Sequence, residues 1–185
     1  MAPLAIDILK HFEGWVPNAY NDPVGYCTIG YGHLIALNRC EQIQLGSFAA
    51  GLSEADGALL LEGDTLGARA AVQELVIVAL TDEQFGALSD FVYNVGRRNF
   101  ERSTLLELLN MGEYALAAAE LRRWVRARGR ILPGLVTRRA CEESLFDGRL
   151  TYDIYGRFDR AACVSLGIAD DVGPLIDVEL GEDAN

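Results

Sequence analysis

Apolar residues recur at helical spacing through most of the chain, and the exceptions fall early. Leu4, Ile8, Leu9 and Phe12 share one face of a predicted helix that closes on Glu13. Gly14 comes next, where helices commonly end in a left-handed residue. Two short strand-like runs then flank the turn signal Pro23-Val24-Gly25, which predicts a hairpin. Residues 35–52 read as irregular connection, broken by Gly46 and Gly51.

From Ser53, a good N-cap, helical character runs to about Val76 through Leu59, Leu60, Leu66, Ala70 and Leu75. Gly57, Gly63 and Gly67 weaken it, and a gap near Gly63 stays open. This segment reads as a connecting helix between two lobes. Thr81 and Gln84 form a capping box for a helix with Phe85, Leu88, Val92 and Val95 inward, ending at Gly96. Helices near 103–110 and 113–125 come after it, the second striped by Tyr114, Ala117, Ala118, Leu121 and Trp124. After a break at Arg128–Gly134, a helix from Leu135 to about Phe146 stops before Gly148. Short loops between successive helices favour a bundle.

Composition narrows the class. With 185 residues, half of them apolar, the chain is one domain or one domain with two lobes. No run is long and apolar enough to predict a transmembrane segment. The first ten residues lack the basic and apolar regions of a secretory signal, so none is expected. Cys27, Cys40, Cys141 and Cys163 show neither CxxC pairing nor ligand spacing. Reduced, buried thiols are the expectation, with a Cys27–Cys40 bridge left open. His11 and His33 lie far from any cysteine pair, so no metal is expected.

The net charge of −11 is uneven: residues 1–80 and 151–185 each balance at −6, and 81–150 at +1. A local basic region at Arg122, Arg123, Arg126, Arg128, Arg130, Arg138 and Arg139 raises nucleic-acid binding as a rival reading. An acidic chain without an interleaved aromatic platform argues against it, so no nucleic-acid partner is expected.

The candidate chemistry lies in residues 12–33. Glu13, at the negative end of its helix, is placed to act as a proton-donating acid. Asp22, on a polar turn, is placed to stay charged, and Thr28 lies on the return strand where its hydroxyl can orient a water. Two carboxyls in contrasting settings are what glycoside hydrolysis requires.

Glu13-x8-Asp22-x5-Thr28 followed by Ile29-Gly30-Tyr31-Gly32-His33 resembles the catalytic stretch of the T-even phage lysozymes, the endolysin and muramidase group of glycoside hydrolase family 24. The resemblance spans about 3–147 and is carried further by Asp90–Gly96, Ser103–Leu105 and Gly134–Ala140. It implies an α+β, two-lobed fold with a small N-terminal lobe built on a β-hairpin sheet, a connecting helix and a larger helical C-terminal lobe. It also implies hydrolysis of the β-1,4 bond between N-acetylmuramic acid and N-acetylglucosamine in the peptidoglycan glycan strand, with inversion and without a cofactor. Glu13, Asp22 and Thr28 become catalytic, Leu34, Tyr93, Asn94 and Ser103 substrate contacts, and Arg138 the partner of the glutamate. Adjacent Arg139 leaves that last register open by one.

A monomer is expected, made in the host bacterial cytoplasm and acting on the wall after release. The rivals are a lytic transglycosylase, which needs no water-positioning pair, and a catalytically silent wall-binding module, for which an intact triad has no use. Two features depart from the family pattern: the acidic balance, and the extension 151–185 beyond a lysozyme domain at 1–150. Tyr152, Ile154, Tyr155, Phe158, Val164 and Ile168 make that extension too apolar for a disordered tail. It is expected to dock on the helical lobe, with 181–185 fraying.

Overall fold

A computed structural model describes residues 1–163 and 173–182. The chain forms two compact units, one from Leu9–Leu66 and one that combines Met1–Ile8 with Gly67–Asn185. It is an α+β architecture with a small antiparallel sheet and a helical lobe.

The Leu9–Leu66 unit starts within helix α1 (Pro3–Glu13), which Gly14 ends at φ 72°. Three antiparallel strands come next, β1 (Val16–Asn21), β2 (Cys27–Gly30) and β3 (His33–Ala36), in the order β1-β2-β3. The expected hairpin is therefore two successive hairpins sharing β2. Thr28 sits opposite Tyr20 on β1 and Leu34 on β3, and directly opposed residues share a face of the sheet.

Helix α2 (Glu54–Asp64) is capped by Ser53, whose hydroxyl accepts the Asp56 amide at 3.1 Å. The expected connecting helix breaks close to Gly63: α2 stops at Thr65 and α3 (Leu66–Leu75) begins afresh. Thr65 is buried and its hydroxyl donates to the Glu62 carbonyl at 2.8 Å, taking an acceptor from the helix ladder two residues beyond Gly63. The inward face is also not the expected one. Leu59 and Leu66 are exposed, while Leu61 and Gly57 are buried. Gly57 sets that face because the indole of Trp15 lies against its bare Cα.

In the second unit the expected capping box forms. Thr81 Oγ1 accepts the Gln84 amide at 3.2 Å, and Gln84 Oε1 accepts the Thr81 amide at 3.0 Å. Helix α4 (Asp82–Val95) ends at Gly96, φ 84°. Then come α5 (Arg97–Glu101), which the apolar pattern did not reveal, α6 (Thr104–Asn110) and α7 (Tyr114–Glu120). The helix expected to reach residue 125 ends early, in a tight 3-10 turn at Leu121–Arg123. Where a featureless break was expected, β4 (Arg126–Ala127) and β5 (Arg130–Ile131) form a small hairpin, and α8 (Pro133–Phe146) opens on its proline. The core of this unit is fully buried Leu88, Phe91, Phe100, Leu105, Leu109, Leu121, Trp124 and Leu145. The Phe91 ring meets Phe100 and Trp124 edge-on at centroid distances of 6.3 and 5.3 Å.

Both cysteine pairs are bridged, Cys27 to Cys40 and Cys141 to Cys163, with Cα separations of 4.7 and 4.6 Å. This corrects the expectation of reduced thiols: chain folding brings each pair within bridging distance, which spacing in sequence could not reveal. The extension engages the second unit only in part through the residues expected: Tyr152 Oη donates to Asp7 Oδ2 at 2.9 Å. Ile154 and Tyr155 are exposed, and Val164 and Ile168 lie outside the described residues. The buried anchor is Ile176, beside a parallel bridge between Arg126 and Asp177. Arg126 N donates to Ile176 O at 3.2 Å, and Val178 N to Arg126 O at 2.9 Å. Gly181 and Glu182 do not fray: Gly181 is buried, and Glu182 accepts from the amide and hydroxyl of Thr104. Residues 183–185 lie outside the described residues.

Candidate active site

Glu13 is the last residue of α1, and the backbone turns away at Gly14, leaving the carboxyl at the helix end. Its Oε2 comes 3.8 Å from where a Cβ on Gly32 would stand, so the β2–β3 turn approaches it as bare backbone. Asp22 lies directly after β1. Its Oδ1 accepts the Val24 and Tyr26 amides at 2.9 and 2.8 Å, which fixes the carboxylate plane and commits one oxygen. Its Oδ2 accepts no hydrogen bond among the described residues. Thr28 is buried in β2, its hydroxyl 3.3 Å from the Tyr26 carbonyl.

Tyr20 belongs with these three, and sequence reading missed it. Directly across from Thr28 on β1, its phenol is pushed above its ordinary pKa by burial, then by the charges of Asp22 and Glu13. Both carboxylates thus act on one hydroxyl. The available signal was the i, i+2 spacing of Tyr20 and Asp22 next to a strand end, which is weak without the register.

A clamp holds this corner. Cys27, adjacent to Thr28, is bridged to Cys40. The Cys40 amide donates to Asn21 Oδ1 at 2.8 Å, and Asn21 Nδ2 to Glu41 Oε2 at 3.0 Å. Arg39 Nε donates to Glu41 Oε1 at 2.6 Å. Asn21 foremost, then Arg39, holds the Glu41 carboxyl down at about 2. Behind the sheet, Trp15 packs on Tyr31 at 5.0 Å between ring centroids, and Tyr31 Oη donates to Glu54 on α2 at 2.9 Å. His33 Nδ1 meets Asp64 Oδ2 at 2.9 Å. Leu34, an expected substrate contact, is exposed on the face of Thr28 and Tyr20.

The remaining expected site residues stand in the other unit. Arg138 is buried, and its Nη2 donates to buried Asp90 Oδ1 at 2.6 Å. Arg139 Nη2 donates to Glu142 Oε1 at 2.7 Å and to Asn94 Oδ1 at 3.0 Å, and its guanidinium lies over Phe91 at 4.9 Å. Burial drives Glu142 toward its neutral form, opposed by the positive charge of Arg139. Tyr93 and Asn94 are half-buried on α4. Ser103 is almost fully buried and caps α6, its hydroxyl accepting the Leu106 amide at 3.1 Å and donating to Phe100 O at 2.7 Å. Its observed work is helix capping. Among the described residues no group of three or more His, Cys, Asp or Glu is arranged to hold a metal ion. No helix among them is long and apolar enough to cross a membrane.

The phage lysozyme family model matches residues 10–142. The chain is 38% identical over 144 residues to an endolysin of Bacillus phage PZA, covering 77% of this chain but 53% of that protein. It thus spans about half the length of that relative. An endolysin of Acyrthosiphon pisum secondary endosymbiont phage 1 is 35% identical, with 76% of this chain and 92% of that protein covered. Among solved structures, the muramidase domain of SpmX from Asticaccaulis excentricus superposes with a TM-score of 0.67 at 33% identity, covering 78% of this chain and 95% of that one. A P22 lysozyme variant superposes at 0.66 with 30% identity, covering 79% and 97%. With its helix-end glutamate, turn aspartate and strand threonine inside the matched region, the chain belongs to the phage lysozyme family.

Proposed function

We propose that the protein is a peptidoglycan hydrolase that cleaves the β-1,4 bond between N-acetylmuramic acid and N-acetylglucosamine. Glu13 protonates the leaving glycosidic oxygen. Asp22, through its uncommitted Oδ2 and with the Thr28 hydroxyl, positions and deprotonates a water on the opposite face of the sugar. Room for that water, about 6.5–9.5 Å between carboxyls in inverting enzymes, makes the outcome inversion. The observation that carries this reading is the Glu13, Asp22 and Thr28 set within the stretch matched by the phage lysozyme family, with Asp22 fixed through Oδ1 by the Val24 and Tyr26 amides.

The protein is of the T-even, family 24 type, and Arg138 pairs with Glu13. Leu34, Tyr93 and Asn94 contact the glycan, and Ser103 contributes by holding the start of α6. The protein acts as a monomer on the wall after leaving the cytoplasm. Relatives include a SAR-endolysin of Escherichia phage Mu, 35% identical over 146 residues.

The test is turbidity loss of isolated peptidoglycan with mass spectrometry of the released ends. Reducing ends support hydrolysis, and anhydro ends reject it in favour of a transglycosylase. Glu13→Gln should lower the rate at least about 10²-fold while the protein stays folded. Lysis retained within about threefold rejects the acid assignment.

A further inference from the structure

The loop after α8 repeats, hydrogen bond for hydrogen bond, the turn that carries Asp22. In each, the aspartate amide donates to the carbonyl four residues on, Asp22 N to Tyr26 O and Asp153 N to Arg157 O, both 2.9 Å. The glycine three residues on donates back to the aspartate carbonyl, from Gly25 and Gly156, both again 2.9 Å. Oδ1 accepts the next amides: Val24 at 2.9 and Tyr26 at 2.8 Å, and Tyr155 at 2.8 and Arg157 at 2.9 Å. Both glycines have positive φ, 96° and 71°. The flanking residues pair across the base in both, Asn21 with Cys27 and Tyr152 with Phe158.

What differs is the side chains at the tip. The second turn presents Ile154 at 91% and Tyr155 at 73% exposure. Asp153 already satisfies the turn's backbone, so neither side chain is needed to build it. Arg157 lies over one face of the Tyr155 ring, 4.9 Å from its centroid. Its Nε and Nη2 are held at 3.1 Å by Asp153 Oδ2, which leaves Nη1 to donate elsewhere. Among the described residues the ring is backed by a guanidinium on one face and, at 73% exposure, open on the other. The base of the turn is tied down by Tyr152 Oη on Asp7 at 2.9 Å and, beyond it, by the Cys141–Cys163 bridge. Asp153 and Arg157 cancel in charge, within an extension of eight acids and two bases.

We propose that the 152–158 turn is a second glycan-binding point, where the open face of Tyr155 stacks on a sugar ring of the peptidoglycan strand. Ile154 covers the ring edge, and Arg157 Nη1 donates to a ring substituent. The C–H face of a pyranose meets the electron-rich face of an aromatic ring favourably. A ring already stiffened by its neighbour loses little entropy on binding. A charge-neutral tip is also the part of an acidic chain best suited to approach an anionic polymer. This proposal rests on the peptidoglycan reading above.

The experiment measures co-sedimentation of the full chain with purified sacculi, in a Glu13→Gln background that leaves the wall intact. Adding Tyr155→Ala with Ile154→Ala should weaken retention about tenfold at an unchanged melting temperature, while Tyr155→Trp keeps it. Equal retention of parent and double variant overturns the proposal, and wild-type lysis of the same sacculi would leave the hydrolase reading standing. A parent that neither binds nor, as wild type, lyses overturns both. If the double substitution instead abolishes binding to phosphatidylglycerol–phosphatidylethanolamine vesicles and not to sacculi, the tip is a membrane contact and the proposal fails.

Discussion

The indole of Trp15 fills the space a side chain on Gly57 would need: an added Cβ would stand 2.1 Å from its Cζ3. Alanine is the better helix former by about 1 kcal/mol, so propensity alone favours Gly57→Ala. Overpacking against an indole already seated on Tyr31 costs more, about 1–3 kcal/mol or above. The expected result is a net loss, read as a lower melting temperature. Gly63→Ala, on the same helix with nothing within 4 Å, should do the opposite. A stabilising Gly57→Ala would mean that the indole moves freely.

Glu41 gives a pH signature. Its carboxyl is held at about 2, below its ordinary 4.5, so its contribution to stability is present above about 4.5 and is lost as pH falls toward 2. The group is fully exposed, so the effect is small. Glu41→Gln should melt slightly below wild type at neutral pH, with the gap closing in acid. A gap that widens as pH falls contradicts the clamp on Asn21.

Removing the Cys27–Cys40 bridge by paired alanines opens a loop with a sequence separation of 13. Loops of this size are worth about 3 kcal/mol. Because the bridge abuts Thr28 and the Cys40 amide holds Asn21 beside Asp22, lysis should fall even well below the melting transition. Full activity in the folded, unbridged protein would show that the triad holds itself in place.

Ile176 and Ile154 separate anchoring from display within the extension. Ile176→Ala removes a fully buried side chain and should cost about 2–4 kcal/mol. Ile154→Ala, at 91% exposure, should stay within about 0.5 kcal/mol. Denaturant unfolding of the two variants checks both, and similar losses would refute the division.

The readings that held are those encoded locally. The capping box at Thr81 and the helix stop at Gly96 each depend on residues a few positions apart. The failures needed contacts distant in sequence. Leu59 lost its place inside because Trp15, forty-two positions before Gly57, selects the glycine face. The disulfides depended on sheet register and on how the extension returns to α8. Tyr20 became visible only once β1 was paired to β2. Apolar composition promised an anchor in the extension but could not tell Ile154 from Ile176, which look alike until Arg126 pairs with Asp177.

The unit that contains α4 and α8 also claims Met1–Ile8, so its chain is discontinuous and the Leu9–Leu66 unit is an insertion within it. Ala5 lies so close to Gly86 that a Cβ there would come within 2.7 Å, so residues 1–8 have their packing partner on a helix not yet made when they are synthesised. During synthesis, at roughly 5–20 residues per second, the inserted unit is complete before that partner exists. The half of α1 that carries Glu13 can therefore be set within its own unit while the other half waits. The unit that holds Glu13 and Asp22 is thus made before the first half of α1 finds its partner.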